Sequence, residues 1–290
     1  MDKIISYLIA EGQARAFVAE TTQTCRKAMQ THHLSHVATA ALGRTLTCAA
    51  MIGIQMKNEQ DSLTVTIKGD GPLGGITVSA KNNGDVKGYV DYPNTELVLR
   101  ADGKLDVGGA VGKIGRLTVI KDLGMKEPYV GNVELQSGEI ADDFAYYFAV
   151  SEQQPSAVAL GVLTGNGTVK SAGGVIIQPL PGCSEEILRF FENSVPLLTD
   201  ISAHFVGNTA KDVGELLFAP VQHVVQKVYP VRFFCDCSRK RLKRLLSSMG
   251  EEEINDMIEK QNGAEVTCHF CNKIYRFSAE ELKTLKNKKC

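Results

Sequence analysis

The feature that most constrains this chain is a set of four cysteines near its C-terminal end. Cys235 and Cys237 form a C-x-C motif, and after a helix-sized insert Cys268 and Cys271 form a C-x-x-C motif. Each short motif brings two sulfur atoms to one point, and the insert lets the chain return with the other two. The spacing predicts one zinc ion held by four thiolates. The alternative is four buried or disulfide-bonded cysteines, which fits less well with a chain that shows no secretory signal.

The residues around these motifs are predicted to form a small zinc-binding domain over residues 231–290. Two strands are expected at 264–267 and 273–277, on either side of the second cysteine pair. Two amphipathic helices are expected at 239–248 and 251–261, the first capped by Ser238. Such a ribbon-like clip is the usual setting of a four-thiolate zinc site.

Residues 1–180 are predicted to form one α+β core domain, rich in strands and containing a few helices. Alternation of apolar and polar residues, as at Leu63, Val65 and Ile67, indicates paired strands. Residues 69–74 have the letters of the G-x-G-x-x-G dinucleotide motif. Strand-like sequence follows them where that motif needs a helix, so a tight turn is expected there.

Residues 181–230 are predicted to form a helical linker between the two domains. Pro181 and Gly182 mark its start, Ser184 can cap one short helix, and Thr209 with Asp212 forms the capping box of another. Two short amphipathic helices cannot bury their apolar faces against each other alone. The linker must therefore dock on the core domain, on the zinc domain or on another subunit.

Composition and motifs narrow the function classes. A formal net charge of −1 argues neither for nor against a polyanionic partner. The chain contains no G-x-x-x-x-G-K-[ST] motif and no recognisable Ser-His-Asp or paired-carboxylate constellation, so neither nucleotide binding nor enzymatic activity is expected. Residues 37–56 are weakly polar but contain Arg44 and several threonines, so a buried helix is expected rather than a membrane span. A reducing cytoplasm is the expected compartment, where clustered cysteines indicate metal or redox chemistry.

The remaining cysteines and a basic run carry weaker signals. Cys25 and Cys48 fall in helical stretches and are expected to be small core residues, whereas Cys183 and Cys290 look exposed and receive no role. Residues 239–244 are strongly basic. This run is interpreted first as a solvated helix face. Two alternatives are that its positive charges stabilise the nearby cysteines as thiolates, or that it contacts nucleic acid.

A four-thiolate site can act in two ways. It can be a staple, because a unit of this size is marginal without a metal. It can also be a redox switch, because zinc holds the sulfurs as thiolates, the form that oxidants attack. Since the paired cysteines are sequence neighbours, oxidation would most easily join Cys235 to Cys237 and Cys268 to Cys271. Neither local disulfide closes the long loop that zinc closes.

The sequence resembles the bacterial redox-regulated heat-shock holdases, the thirty-three-kilodalton chaperonin family. The similarity covers essentially the whole chain, and the residues that carry it are 235–239, 266–271 with Tyr275 and Phe277, 69–72, Tyr147-Phe148, 151–153 and 172–174. The resemblance implies an ATP-independent chaperone that is zinc-bound and inactive when reduced. It further implies that oxidation forms the two disulfides named above, releases zinc, unfolds the linker and favours a homodimer. Unfolded client proteins would then bind exposed apolar surface, for which the candidates are Phe190, Phe191, Leu216 and Leu217.

Two other function classes stay open. A thiol-disulfide oxidoreductase could use Cys268 and Cys271, although such enzymes place this motif after a strand at the start of a helix. A zinc-ribbon protein could bind nucleic acid, in which case binding would depend steeply on salt. Neither of these two functions is favoured over the binding of unfolded protein. Nucleic acid is not expected as a partner, and neither is a membrane.

Overall fold

The structure is a computed structural model that describes residues 1–96 and 99–286. The chain separates into two compact units, Met1–Phe234 and Cys235–Cys290, called here unit 1 and unit 2. Strands and helices mix in both units, and the predicted α+β class is confirmed.

Most strands pair with the strand that precedes or follows them in the sequence. The strands are β1 (Lys3–Ile9), β2 (Ala14–Glu20), β3 (Ser62–Gly69), β4 (Gly75–Lys81), β5 (Asp85–Val90), β6 (Gly115–Asp122), β7 (Tyr129–Glu134), β8 (Ala157–Gly165), β9 (Thr168–Pro179), β10 (His223–Pro230), β11 (Arg232–Phe233), β12 (Gly263–Thr267) and β13 (Ile274–Ser278). The helices are α1 (Thr22–His32), α2 (His36–Gly53), α3 (Val107–Val111), α4 (Ala141–Val150), α5 (Glu185–Leu198), α6 (Ile201–His204), α7 (Ala210–Phe218), α8 (Arg239–Ser248), α9 (Glu251–Gln261) and α10 (Ala279–Lys286). A single 3₁₀ turn, Ala10–Gly12, joins β1 to β2.

Unit 1 contains two sheets. One has five strands in the order β10-β1-β2-β9-β8, and the other has six in the order β11-β5-β4-β3-β6-β7. Within each sheet, neighbouring strands pair antiparallel, except that β11 pairs parallel with β5. Residues 69–74 connect β3 to β4 as a turn, which confirms the prediction for that glycine-rich motif.

Helix α2 lies between the two sheets and forms the centre of the main core. Its packing reaches β8 and β9 of one sheet and β3, β4 and β5 of the other. Nearly every residue of α2 is buried, including Thr45 and Thr47. The two hydroxyls donate to the carbonyl oxygens four residues earlier, Ala41 and Gly43, at 2.9 and 2.8 Å. These bonds satisfy the only polar atoms that the threonines bring into the core, so a helix with no polar face can be enclosed.

The opposite face of the five-stranded sheet is covered by α5, α6 and α7. Their apolar residues form a second cluster with β1, β2, β8 and β9, listed by helix as Phe191 and Leu198, Ile201, then Ala210, Val213, Leu217 and Phe218. The predicted caps are present: the Ser184 hydroxyl accepts from the Ile187 N–H, and Thr209 and Asp212 form a capping box. Of the three docking partners left open by the sequence, the linker helices use the core.

Residues 223–230 differ from the prediction of a wholly helical linker, because they form strand β10 at the edge of the five-stranded sheet. The segment contains Val224, Val225 and Val228, whose branched side chains favour a strand, and β1 offers it a free edge. The residues predicted as a linker therefore belong to unit 1. Their separation from the core domain (1–180) as a distinct functional part, and the boundary at residue 231, remain predictions.

Unit 2 is a hairpin of β12 and β13 with helices α8, α9 and α10. The two strands and the first two helices were predicted from the sequence. The buried apolar residues of unit 2 are few: Leu246, Ile254, Tyr275, Phe277, Leu282 and Leu285. At the start of α10 the backbone N–H groups of Ser278 and Glu281 each donate to the other residue's side chain and so form a capping box.

In the described ranges, no helix combines the length and apolar character that crossing a membrane requires.

Candidate metal centre

Two irregular segments of unit 2 bring the four cysteines together. Cys235 and Cys237 lie in the extended chain that follows β11, and Cys268 and Cys271 lie in the turn between β12 and β13. The four Sγ atoms lie within 4.8 Å of one another. Two of the separations run across the two motifs, 3.7 Å from the Cys235 Sγ to the Cys268 Sγ and 3.4 Å from the Cys237 Sγ to the Cys271 Sγ.

These distances fit the donor set of a tetrahedral metal ion. Zinc–sulfur bonds of about 2.3 Å at the tetrahedral angle place sulfur atoms about 3.8 Å apart. Four soft thiolate donors with no oxygen or imidazole favour zinc or iron over calcium or magnesium. The turn that carries Cys268 and Cys271 is fixed by its backbone, because the N–H groups of Cys271 and Asn272 donate to the Cys268 carbonyl at 3.2 and 2.8 Å. Asn272 adopts a left-handed φ of 55° that closes this turn.

Tyr275 supports the first motif from the hairpin. Its hydroxyl lies 3.1 Å from the Cys237 carbonyl oxygen and 3.2 Å from the Cys237 Sγ, so it can donate its one hydrogen to either atom. The side chain belongs to the small core of unit 2, so packing of β13 fixes its position. Sequence reasoning noted Tyr275 as part of the family pattern but assigned it no contact, because period-two alternation shows only which face of a strand a residue occupies.

The surroundings of Cys235, Cys237 and Cys271 change how readily these three thiols ionise. Burial raises the pKa of Cys235 well above its usual range and raises that of Cys271 to about 11. Burial acts in the same direction on Cys237, but hydrogen bonds from the Tyr275 hydroxyl and the neighbouring thiols outweigh it and lower the pKa of Cys237. Four sulfurs packed this closely cannot all be anionic unless a cation compensates their charge. The site therefore has the chemistry of a metal centre.

Comparison with known proteins gives a consistent result. The family described as "Hsp33 protein" matches residues 2–278. The chain belongs to the Hsp33 family.

Individual members of the Hsp33 family are similar to this chain along nearly their full length. The 33 kDa chaperonin of Acetivibrio thermocellus is 48% identical over 284 residues, which cover 97% of this chain and 95% of that protein. The 33 kDa chaperonin of Alkaliphilus oremlandii is 47% identical over 288 residues, 98% of this chain and 96% of that one. The crystal structure of the 33 kDa chaperonin from Thermotoga maritima superposes with a TM-score of 0.89 at 37% identity, covering 98% and 97% of the two chains. Membership of this family supports a chaperone function and so the binding of unfolded client proteins.

Part of the basic run of this Hsp33-family chain forms ion pairs within unit 2. Arg239 pairs with Glu281 at 2.6 Å and stacks over the Phe277 ring at 4.4 Å, and Lys243 approaches the same carboxylate at 3.2 Å. The Arg239 guanidinium, the Ser278 N–H and Lys243 lower the pKa of Glu281 to about 2. Arg239 and Lys243 therefore help to pack α8 against α10. The interpretation of the whole run as a solvated helix face stays a prediction.

The residues predicted to bind clients are unequally covered. Phe191 and Leu217 are buried in the cluster between the linker helices and the sheet, Phe190 is half-buried beside them, and Leu216 is 50% exposed. Three of the four therefore present little surface while the linker is docked. Their assignment to client binding remains a prediction.

The other cysteines fall largely where the sequence placed them. Cys25 and Cys48 are buried core residues, and burial raises the pKa of Cys25 to about 12. Cys183 is only half-exposed, and Cys290 lies outside the described residues. Cys268 and Cys271 sit between two antiparallel strands, whereas a thiol-disulfide oxidoreductase places its C-x-x-C at a helix start.

Proposed function

We propose that this protein is a redox-regulated, ATP-independent holdase whose reduced form binds one zinc ion through Cys235, Cys237, Cys268 and Cys271 and is inactive. The observation that carries the proposal is the convergence of four thiols within 4.8 Å in a unit that, up to residue 285, buries six apolar side chains. A unit with so small a core depends on its staple. Losing the four thiolates would therefore remove most of what holds unit 2 folded.

The sulfur chemistry of activation needs only a two-electron oxidant such as hydrogen peroxide. Bound zinc would keep the sulfurs deprotonated at neutral pH. A cysteine thiolate attacks a peroxide oxygen, gives a sulfenic acid and releases hydroxide; the neighbouring cysteine then displaces a second hydroxide and closes the disulfide. We assign the pairs Cys235–Cys237 and Cys268–Cys271, because each pair shares one short segment. Once both have formed, no thiolate remains to hold a metal.

Loss of structure in unit 2 is proposed to extend to the linker. Helices α5, α6 and α7 are short and have half their surface in solvent, so they are stable only while docked. Their release would uncover Phe190, Phe191 and Leu217 together with the sheet face beneath them. A large exposed apolar surface binds other unfolded chains or a second copy of itself, which accounts for client binding and for dimers of the oxidised form. No nucleotide, nucleic acid or membrane enters this cycle, no substrate is chemically changed, and a reducing cytoplasm is the compartment that makes it a switch.

Light scattering of a heat-denaturing client tests the switch. Zinc-loaded, reduced protein should not slow aggregation, whereas protein treated with peroxide at elevated temperature should suppress it without ATP, and reduction with added zinc should reverse the effect. A Cys183→Ser variant is the matched control, because it removes a thiol outside the centre and should activate normally. Equal protection by reduced and oxidised protein would reject the switch and leave zinc as a structural staple.

A further inference from the structure

A cleft of about 460 Å³ opens in unit 1. Its apolar wall is formed by Ile52 and Met56 at the end of α2 together with Phe148 of α4, and its polar wall includes Arg15 of β2 and Gln178 of β9. The volume is within the range of small-ligand sites, which are typically about 300–1,000 Å³.

Arg15 is held in a fixed orientation by a buried amide. Arg15 and Gln178 are directly opposite in the antiparallel pairing of β2 with β9, and the Arg15 Nε donates to the Gln178 Oε1 at 2.8 Å. Gln178 is only 2% exposed. The guanidinium therefore extends from a rigid central strand rather than from a loop.

A chain of hydrogen bonds fixes which way the Gln178 amide points. The Ser156 hydroxyl donates its one hydrogen to the Gln154 carbonyl at 2.8 Å, so toward Gln178 it can only accept. It accepts from the Gln178 Nε2 at 2.9 Å. The Gln178 oxygen must then face Arg15, and the amide cannot flip without losing bonds at both ends.

The terminal nitrogens of Arg15 lack the partner that a half-buried arginine normally has. Throughout residues 1–96 and 99–286, no carboxylate forms an ion pair with Arg15, and the nearest ring contact is Phe17, at 5.8 Å. Burial lowers the pKa of this guanidinium, which shows that its charge is partly desolvated. Arginine is rarely withdrawn from water without an anion, and its two free terminal NH₂ groups form a fork that matches a carboxylate.

The other charges around the cleft limit which anion fits. Lys121 is already paired with Glu152 at 2.6 Å, and the buried Asp61 accepts from the backbone and side chain of Asn58. Lys57 also lines the cleft and is exposed, so the three cations Arg15, Lys57 and Lys121 face two carboxylates and the lining carries a net charge of +1. A singly charged anion balances this charge, whereas a doubly charged phosphate would exceed it. A single negative charge attached to an apolar group satisfies both walls.

We propose that this cleft binds a carboxylate joined to a short apolar group, with the carboxylate on Arg15 and the apolar group against Ile52, Met56 and Phe148. The ligand is either a small carboxylic acid or the free C-terminus of a peptide that ends in an apolar residue. The cleft contains no cysteine. Its ligand binding is thus separate from the redox proposal, and either can fail without the other.

Isothermal titration calorimetry on the reduced full-length protein tests the site. N-acetyl-leucine should bind and N-acetyl-leucinamide should not, because only the first carries the carboxylate. A Gly-Gly-Gly-Gly-Leu peptide with a free C-terminus, compared with its amidated form, separates the two sources. Binding of the small acid alone indicates a metabolite-like ligand, and binding of the free peptide indicates recognition of chain ends.

Three variants locate the binding. Arg15→Gln should weaken acetyl-leucine binding by about ten- to hundredfold, the value of a charged hydrogen-bonded contact. Gln178→Glu supplies Arg15 with an internal carboxylate, so it should weaken binding while the thermal midpoint is kept or raised. Arg116→Gln removes an exposed arginine of β6 and should leave binding unchanged. Equal affinity for acid and amide, equal binding by the Arg15→Gln and Arg116→Gln variants, or no binding of any carboxylate up to about 10 mM would overturn the proposal.

Discussion

Unit 1 encloses an almost fully buried helix between two sheets, whereas unit 2 places three helices and one hairpin around six buried apolar side chains. In unit 1 the removal of apolar surface from water supplies the stability, and polar atoms such as the hydroxyls of Thr45 and Thr47 are satisfied inside the core. Unit 2 has too little apolar surface for this. Its four converging sulfurs could hold a metal ion, and the proposed function assigns to that ion the stability that the core does not supply.

The linker helices combine features of both regions. They bury an apolar face on the five-stranded sheet, like core elements, but they are short, and one contact beneath them is unfavourable. Tyr7 of β1 lies under Gly214 of α7 and is 1% exposed, yet its hydroxyl has no hydrogen-bond partner within the described part of the chain. An unsatisfied buried hydroxyl costs about 1–3 kcal/mol. The linker is thus docked with less stability than its buried area suggests, and the four predictions below test this contrast.

The largest effect is expected from removing two metal ligands. A Cys268→Ser, Cys271→Ser double variant should lose zinc and, with it, a folding contribution on the order of 10 kcal/mol. Hydrogen exchange should then show loss of protection in β12 and β13 while β3 in unit 1 stays protected. Cys183→Ser serves as the control and should retain a full complement of zinc by elemental analysis. Full zinc in the double variant would contradict the assignment of the centre.

A smaller but still large effect is expected at the contact between α7 and β1. A Cβ added at Gly214 would lie 2.2 Å from the Tyr7 hydroxyl oxygen, so Gly214→Ala forces α7 away from the sheet. We expect a cost of about 2 kcal/mol, seen as faster amide exchange in α7 without oxidation. Lys211→Ala changes an exposed residue of the same helix and should shift stability by less than about 0.5 kcal/mol. If both variants exchange like the native protein, the close approach does not control docking.

Removing the unsatisfied hydroxyl should have the opposite sign. Tyr7→Phe keeps the ring that packs against Phe218 and His223 but deletes the unpartnered oxygen, so the docked linker should gain about 1 kcal/mol. Slower exchange of α7 amides and a slower response to oxidants should follow. Tyr92→Phe, at a tyrosine that is 63% exposed, controls for loss of a hydroxyl as such. A destabilised Tyr7→Phe protein would show that the hydroxyl has a partner after all.

The smallest effect concerns pH. His223 of β10 places its Nδ1 2.9 Å from the Val221 carbonyl and its Nε2 3.0 Å from Glu215 of α7. The Val221 carbonyl, with Glu215, raises the pKa of His223, despite some opposing burial. A raised folded-state pKa stabilises the fold below the unfolded value of about 6.5, and this contribution is lost as pH rises through the folded value.

The exposed carboxylate limits the size of that contribution to about 0.5 kcal/mol. Protection of α7 amides should therefore fall slightly between pH 6 and pH 8 in the native protein and should be flatter in His223→Gln. His36→Gln alters an exposed histidine of α2 and should keep the native slope. If α7 protection depends on pH equally in all three proteins, His223 does not contribute to the docking of α7.

Local signals made much of this architecture predictable. Alternation located β3, the caps at Ser184 and Thr209 located α5 and α7, and the two-pair spacing located the cysteine cluster before any coordinates. Each of these signals lies within a few residues of sequence, where periodicity and side-chain capping decide the structure.

Contacts made at long range were not predictable. Strand β10 is a strand because β1 provides an edge more than two hundred residues away in sequence, and the approach of Gly214 to Tyr7 depends on how α7 settles on that sheet. The bond from Arg15 to Gln178 likewise requires the register of β2 with β9. Pairing partners of this kind are set by tertiary packing, which a single sequence does not display.

The placement of β10 also determines how far a released linker can go. Residues 180–222 leave the five-stranded sheet after β9 and re-enter it at β10, and only β1 and β2 separate those two strands. With neighbouring strands about 4.8 Å apart, the two ends of this segment stay roughly 15 Å from each other. While β10 remains paired, a melted linker is a closed loop and not a free tail. Its helices would face their docking surface at a millimolar effective concentration, so recapture competes with every client for the same sheet.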